Sequence, residues 1–463
     1  MNEAPALPPG SRKAAATLVA LVLLVYASSL AAPFQFDDWW LIVGNPKVAS
    51  LAGWWQAMPG IRPLLKLSYA LNALAWPAPI GYRAFNIAVH AANAVLVWSL
   101  ARRWLPRLAP RLEHPGRAAF VAALVFALHP AATETVTYIS GRSMSLMAFF
   151  FLASLRLHES APTQHWRRVL SLLMFALALA VRETAAILPA VIILLALYSG
   201  MDGRAALKSA SWHFAVLVLA LSGAAAIPGY RSFFAWSLAT RGWYEQWLGQ
   251  AHAHAYLVLH PLLGLDCNID PQVVVPPGID TTTILVTIAF VGACVLIAAS
   301  RRRLPWLGFG LAFYLLQLLP SNSLLPRFDL ANDRHLYLAV IGPALILGVV
   351  LSRLRPAWLY WLCFVILLLT LVTATVRRNR DYRSELAMWQ ATVLSSPGKA
   401  RPWVNLGYAR QLSGDPAGAA AAYRCALDRD PHQQKAAVNI MLLPEPWRDA
   451  PSRADDCRLP LHP

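Results

Sequence analysis

Charge is scarce in this chain of 463 residues: Asp, Glu, Lys and Arg make up 14% of it, and the acidic residues number only 23. Soluble domains carry roughly 25% charged residues. With 57% hydrophobic residues and a mean hydropathy of +0.47, one water-exposed globule has too little polar surface to cover its apolar side chains, which excludes an ordinary soluble enzyme. Cysteine is equally sparse. Cys267, Cys294, Cys363, Cys425 and Cys457 contain no CxxC pair and no metal-ligand spacing, which argues against a disulfide framework or a zinc site. What the chain does have is apolar runs of about 18 residues or more, each long enough to cross the roughly 30 Å hydrocarbon layer as a helix. The net charge of +17 then reads as a topology signal in membrane loops and gives no reason to expect a nucleic-acid partner.

Eleven apolar segments, some of them shorter, lie near residues 14–32, 84–101, 118–132, 143–157, 169–182, 184–200, 211–228, 282–300, 306–320, 335–352 and 357–376. They predict an all-α fold: a polytopic membrane helix bundle of about 11 spans over residues 1–376, then a small helical domain over 377–443 and a disordered tail over 444–463. Arg12 and Lys13 precede the first run, which is too long for a cleaved signal peptide, so the chain is expected to start in the cytoplasm. Basic connections at 102–117, 167–168, 204–208, 301–303 and 353–355 then all face the cytoplasm, provided that residues 251–265 do not cross. That segment, with His252, His254 and His260, is therefore expected to be a re-entrant or surface-lying helix on the outer side. The odd number of spans delivers the chain from Arg377 onward to the outer compartment.

The tail changes period. With Trp403 as the fourth position of a 34-residue unit, Leu406, Gly407, Ala419, Tyr423, Ala426 and Pro431 fall at tetratricopeptide positions, and Arg410 alone breaks the pattern. Pro397 and Trp389 each stand one period before Pro431 and Tyr423, so half of another repeat precedes this one. Gly414, Asp415 and Pro416 supply the turn between two small-residue helices. One and a half repeats are too few for a deep superhelical groove.

Polar residues concentrate at the outer ends of the spans. Asp37 and Asp38 follow the first span directly, and a charge placed mid-bilayer costs about 2.5–3.5 kcal/mol, so the pair must lie at the interface or in a watered cavity. One carboxylate of such a pair can act as a base while the other orients a ligand; the plainer reading is an acidic pair closing a helix. His129, Pro130, Glu134 and Arg142 surround the entry to the fourth span, where the proline bends the chain and would turn His129 and Glu134 towards a cavity. Arg182 and Glu183 form a short charged hairpin, and Asp333, Arg334 and Tyr337 open the tenth span. Arg62, Arg142, Arg182 and Arg334 are thus four guanidinium groups on one side of the membrane, suited to a lipid phosphate by their fork of donors. Arginines that snorkel and merely anchor helices are the competing reading.

Taken in order, these residues resemble a known pattern. Asp37 and Asp38, then Arg62, Pro63, Leu64 and Asn72, then Gly81, Tyr82, Asn86, His90 and Asn93, are similar to the transmembrane and tetratricopeptide-repeat O-mannosyltransferase family. So are His129, Pro130, Thr133, Glu134, Gly141 and Arg142, the pair Glu183 and Thr184, and Asp333, Arg334, Tyr337 and Leu338. The resemblance runs from about residue 33 to the repeat. It implies a GT-C type glycosyltransferase that uses a polyprenyl-phosphate-linked sugar, mannose by family default, on the extracytoplasmic side, with inversion.

By position, Asp37 and Asp38 are the catalytic carboxylates the resemblance implies. Arg62, His129, Glu134, Arg142, Arg182, Glu183, Asp333, Arg334 and Tyr337 would bind the donor's phosphate and sugar. No cofactor is required and no metal ligands are assigned, although the resemblance does not exclude a divalent metal. The expected partners are the bilayer, the lipid-linked donor, a protein or glycan acceptor, and a protein at the repeat. The short tail and the Ala-, Leu- and Arg-rich makeup suggest a bacterial inner-membrane relative with its site in the periplasm; a eukaryotic one would face the lumen of the endoplasmic reticulum. Where the family carries lysine before the Glu-Thr pair this chain has Arg182, and Asp333 replaces glutamate before Arg334. Other readings keep the fold with a glycan or lipid acceptor, make the chain a membrane-anchored tetratricopeptide scaffold, or make it a transporter. A transporter would show inverted repeats and broken helices at the midplane.

Overall fold

The computed structural model describes residues 9–160, 164–323, 325–448 and 457, and every regular element among them is helical. Each of the eleven apolar segments forms helix. Five helices are long and apolar enough to cross a membrane, or up to seven if two bent pairs each count as one span. Others are shorter: Pro305–Leu318 has 14 residues, and Arg142–His158 and His165–Val181 have 17 each. The chain reads as a multi-pass membrane protein.

Burial separates an inner bundle from an outer ring. Pro115–Leu128 lies at the centre, packed by Pro79–Leu108 and Ile341–Leu351, and nearly all of its side chains from Ala118 to Leu128 are buried. Small residues let these backbones approach, since dispersion and close packing, without a hydrophobic drive, hold helices together in lipid. A Cβ on Gly348 would meet the Ala118 carbonyl well inside contact distance. By contrast, Gly203–Ala226, Thr281–Arg303 and Ala357–Asp381 leave most of their apolar surface outward, with Leu219 74% exposed and Ile288 62% exposed. Each such side chain would cost about 1.5–3 kcal/mol in water relative to burial, and hydrocarbon removes that cost. Asp202 and Asp280 cap two of these helices by accepting from Ala205 N and Thr283 N at 2.8 Å, while Arg301, Arg302 and Arg303 sit at the carbonyl end of the second, where the helix dipole favours them.

The basic connections gather at one end of the bundle. Arg107 pairs with Glu159, Arg355 with Glu113, Arg301 reaches the carbonyls of Leu197 and Met201, and Arg117 lies over the rings of Tyr360 and Trp361. At the opposite end meet the loops after the first span, around 129–142, 182–187 and 320–335, together with the C-terminal helices. Residues 251–265 are there too: the Trp243–Leu259 helix passes into a short turn at Pro261–Leu263, and His254 bonds the Asn322 carbonyl at 3.1 Å.

The C-terminal unit is a helical hairpin, Ala400–Leu412 and Pro416–Arg429, flanked by Glu385–Ser395 and Gln434–Met441. Trp403, Leu406, Gly407, Ala419, Tyr423 and Ala426 are all buried in it, and a Cβ on Gly407 would come within 2.5 Å of the Tyr423 ring. One expectation is corrected here. Cys425 is disulfide-bonded to Cys457, 32 residues away; CxxC and metal spacings do not register a bridge that only folding brings together. In the segment expected to be disordered, Glu445–Arg448 forms a helical turn and Cys457 is held by the bridge, while 449–456 and 458–463 lie outside the described residues.

The close helix crossing can be tested directly. Gly348→Ala must displace backbone at Ala118, and overpacking of this kind costs about 1–3 kcal/mol, more than the roughly 1 kcal/mol that alanine gains in helix propensity. Its thermal midpoint in detergent should fall. That of Gly223→Ala, where a Cβ meets nothing within 4 Å, should hold or rise.

Candidate active site

The acidic pair is divided by the backbone. Arg83, buried on the Pro79–Leu108 helix, donates to the carbonyls of Ala32, Pro33 and Thr137 and pins the chain as it leaves the first span. Phe36 then takes φ +46°, a left-handed conformation costly for a bulky residue, with its ring edge-on to Trp389 at 4.9 Å. After this turn the two carboxylates have different surroundings. Asp38 is fully buried, accepting from Gln35 N at 3.1 Å, Ser140 N at 2.9 Å and Ser140 Oγ at 2.6 Å. Asp37 donates its own N–H to Tyr138 Oη at 3.0 Å and lines an open cavity of about 420 Å³. Burial raises the Asp37 carboxyl above its ordinary value against the pull of the nearby Arg334 guanidinium. Burial also pushes Asp38 up to about 6, opposed by its Ser140 and Gln35 hydrogen bonds.

The cavity is cationic. Arg62, Lys66, Arg182, Arg327 and Arg334 line it against two carboxylates, Asp37 and Asp329. Several of these cations are held from behind. Glu183 takes Arg62 through Nε at 3.0 Å and Nη2 at 2.8 Å, and Glu134 accepts the Arg334 N–H at 3.1 Å with its other oxygen 3.6 Å from Nε. Arg182 donates Nη1 to Ser143 Oγ at 2.7 Å, and Arg327 donates Nη2 to the Pro320 carbonyl at 3.0 Å. Arg182 Nε is buried with no hydrogen-bond partner, as is His335 Nδ1, and Arg334 Nε has only the Glu134 oxygen beyond hydrogen-bond distance; an unmet N–H of this kind is a costly condition that a ligand oxygen would relieve. Burial and the neighbouring Arg62 pull Arg327 down to about 10. Burial, with Lys47 and Arg62, lowers Lys66 from its usual value. Apolar rings also line the cavity, with Trp236 and Phe328 stacked at 6.3 Å and 20°. The exposed Trp39, Trp40, Trp55 and Phe234 lie on neighbouring segments, the residue types that sit at a membrane–water boundary.

Asp37, Arg62, Arg182 and Arg334 are thus the expected residues that share one hollow. The others are elsewhere. Arg142 does not face the cavity: it is fully buried, donating to Asn86 Oδ1, the Ser68 carbonyl, Asn72 Oδ1 and the Tyr82 carbonyl at 2.7–3.1 Å, with the rings of Tyr69, Tyr82 and Phe85 around its guanidinium at 4.5–5.3 Å. His129 bonds the Leu262 carbonyl at 3.1 Å at a 48° bend, so the proline bends the chain as expected without turning His129 or Glu134 into the cavity. Glu134 and Glu183 stand behind Arg334 and Arg62. Asp333 accepts from Tyr256 Oη at 3.0 Å and from Asn268 N, while Tyr337 lies in the core against His90 Nδ1 at 2.7 Å and Asn93 Nδ2 at 3.1 Å. Sequence reasoning missed Lys66, Arg327 and Asp329, while His335, which stands in the polar group that opens the tenth span, also lines the cavity. Lys66 had a signal, since it follows Arg62 by four positions on the helix that begins at Pro63; Arg327 and Asp329 lie in a loop without periodicity. Among the described residues no group of three or more His, Cys, Asp or Glu is placed to hold a metal ion.

No family model matches the chain and no solved structure does. Relatives are found among protein O-mannosyl-transferases. One from Caenorhabditis elegans, F38B6.6, is 31% identical over 160 residues, which is 30% of this chain and 22% of that protein. Tmtc1 of Drosophila melanogaster is 31% identical over 184 residues, 36% of this chain and 20% of its own. Human TMTC1 is 33% identical over 156 residues, 30% of this chain and 17% of its own. The matched stretch thus spans about a fifth of these relatives' length. They are animal proteins and lend no support to a bacterial source. Over that stretch the chain is similar to protein O-mannosyl-transferases, the kind of protein that its ordered motifs resemble.

Proposed function

We propose that the protein is a GT-C type membrane glycosyltransferase of eleven spans that moves a sugar, mannose by family default, from a polyprenyl-phosphate-linked donor to a hydroxyl group of a protein or glycan acceptor. The relatives' printed names supply the reaction class. The observation that carries the chemistry is the placing of a single outward-facing carboxylate of the acidic pair, Asp37, on the wall of a cavity whose other charged groups are mostly cations. A hydroxyl is a weak nucleophile near neutral pH, so Asp37 accepts its proton as the oxygen attacks the anomeric carbon. The bond from that carbon to the phosphate oxygen breaks on the opposite face, its electron pair leaves with the lipid phosphate, and the configuration inverts. Arg182, Arg334, Arg327, Arg62 and Lys66 neutralise the charge that gathers on the departing phosphate, the effect by which preorganised donors lower such barriers. A scaffold would have no use for buried guanidinium nitrogens without partners.

The site end is proposed to face the extracytoplasmic compartment, periplasm or lumen. Clustering of the basic connections at the other end supports this by the positive-inside tendency. The Cys425–Cys457 bridge supports it as well, because such bonds persist in oxidising compartments. The C-terminal hairpin is read as the tetratricopeptide unit, a surface for a protein partner.

Three measurements test this reading. Purified Asp37→Asn protein should retain binding of polyprenyl phosphate while sugar transfer falls by a factor on the order of 10² to 10⁴. Asp38→Asn should instead lower the thermal midpoint, because an amide nitrogen turned towards Gln35 N or Ser140 N leaves a buried donor unmet at about 1–3 kcal/mol. Wild-type transfer in Asp37→Asn would remove the proposed base. The pH profile has a defined sign: the base acts only when ionised and burial raises it, so transfer should rise with pH along an acid limb whose midpoint lies above the ordinary 3.8, and a bound phosphate should move that midpoint higher. A profile flat from pH 4 to pH 7 would speak against Asp37. For sidedness, Ser413→Cys on the exposed turn of the hairpin should react with a membrane-impermeant maleimide added from outside; labelling only after the cytoplasmic face is opened would reverse the orientation.

A further inference from the structure

A side chain of the C-terminal hairpin reaches two residues of the cavity wall. Arg401, in the first turn of Ala400–Leu412, donates Nη2 to Asp329 Oδ1 at 2.8 Å and places its guanidinium 5.3 Å from the centre of the Phe328 ring. Both Phe328 and Asp329 line the cavity, and Phe328 is the ring stacked on Trp236. Arg401 is itself held from the far side. Its Nε bonds Asp270 Oδ2 at 2.6 Å and its Nη2 also reaches Asp270 Oδ1, which Lys399 shares. Asp270 is almost wholly buried, and its carbonyl accepts from Ser396 Oγ at 2.9 Å. The guanidinium therefore bridges two carboxylates from different loops, one fixed in the protein and one on the cavity wall, which a fork of donors can do and a point charge cannot.

Resting on the reading above, we propose that Arg401 is a positioning residue for the donor site: it holds the Phe328–Asp329 wall in place and neutralises Asp329 so that this carboxylate does not compete with a phosphate for the cavity's arginines. Without it, Asp329 loses its hydrogen-bonded cation and keeps only the electrostatic influence of Arg241, which holds the Arg327 and Phe328 carbonyls, and of the cavity's own arginines. Arg327 and Arg334, the cations nearest to it in sequence, would then be drawn towards Asp329 and away from the ligand. The helical hairpin is on this account part of the wall of the donor site and more than an appendage.

The test compares full-length wild type, Arg401→Ala, Arg401→Lys and Arg401→Ala/Asp329→Asn for polyprenyl phosphate affinity and for hydrogen exchange over residues 326–332. Arg401→Ala should bind roughly fivefold to tenfold more weakly and exchange that segment faster by a similar factor, the scale of one charge-assisted hydrogen bond in a half-exposed setting. Arg401→Lys should recover part of both. Adding Asp329→Asn to Arg401→Ala should restore much of the affinity and none of the protection, a split that general loss of fold would not produce. Unchanged affinity and exchange in Arg401→Ala overturn the inference, and so does a double variant no better than the single one. If Arg401→Ala does not fold, Arg401→Gln, which keeps the stem and drops the charge, makes the same comparison. Should wild type itself bind no polyprenyl phosphate, the donor reading fails, while the exchange of residues 326–332 still decides whether Arg401 holds the wall.

Discussion

The active-site end depends on one buried carboxylate that is not at the site. Asp38 joins the loop leaving the first span to the segment that precedes the Arg142–His158 helix, through two bonds from Ser140 and one from Gln35. With both of its oxygens occupied, it fixes the turn at Phe36, and only that turn sends the adjacent Asp37 to the cavity. Two neighbouring carboxylates facing the same ligand would repel each other and any phosphate. Using one of them as a structural acceptor leaves only the other member of the pair on the cavity wall, where the proposed reaction calls for a base. The strained Phe36 conformation is supported by its ring packing on Trp389 and by the Arg83 clamp behind the loop.

The arginines divide by the same logic. Arg83 and Arg142 donate to carbonyl and amide oxygens on nearly every side and, in Arg142, lie among three rings. They hold segments together, as a buried guanidinium with most of its donors met can. Arg62, Arg182, Arg327 and Arg334 make fewer hydrogen bonds to the protein and line the hollow. What distinguishes the two groups is the number of oxygens already within reach, which depends on tertiary packing, and so Arg142 and Arg182 look alike in sequence.

That difference marks how far the sequence could be read. Helix positions follow from run length and apolarity, and the eleven apolar runs all fold as helix, although five to seven of the helices are long and apolar enough to cross a membrane. The bend at Pro130 follows from a missing N–H. The acidic pair was recognisable as a feature, but its division between Asp37 and Asp38 rests on a left-handed residue that no alternation pattern announces. Lys66 was within reach through its spacing from Arg62. Arg327, Asp329 and the Cys425–Cys457 bridge were not, because they lie in or beyond aperiodic stretches and acquire partners only from distant segments.

The same geometry explains why carboxylates surround an anion-binding hollow. Five cations with no counter-charge would repel one another, and at an effective dielectric of about 20 two unit charges 4 Å apart interact by about 4 kcal/mol. Full pairing inside the cavity would remove the repulsion and also the attraction for a phosphate. The protein places Glu183 and Glu134 behind Arg62 and Arg334, off the cavity wall, so that each guanidinium is oriented and partly neutralised without losing its inward donors. Asp37 and Asp329 are the acids on the wall, and Asp329 is the one to which Arg401 reaches across from the C-terminal hairpin. A hollow arranged in this way keeps its cations oriented when empty and retains net positive charge, as the lipid phosphate proposed for it requires.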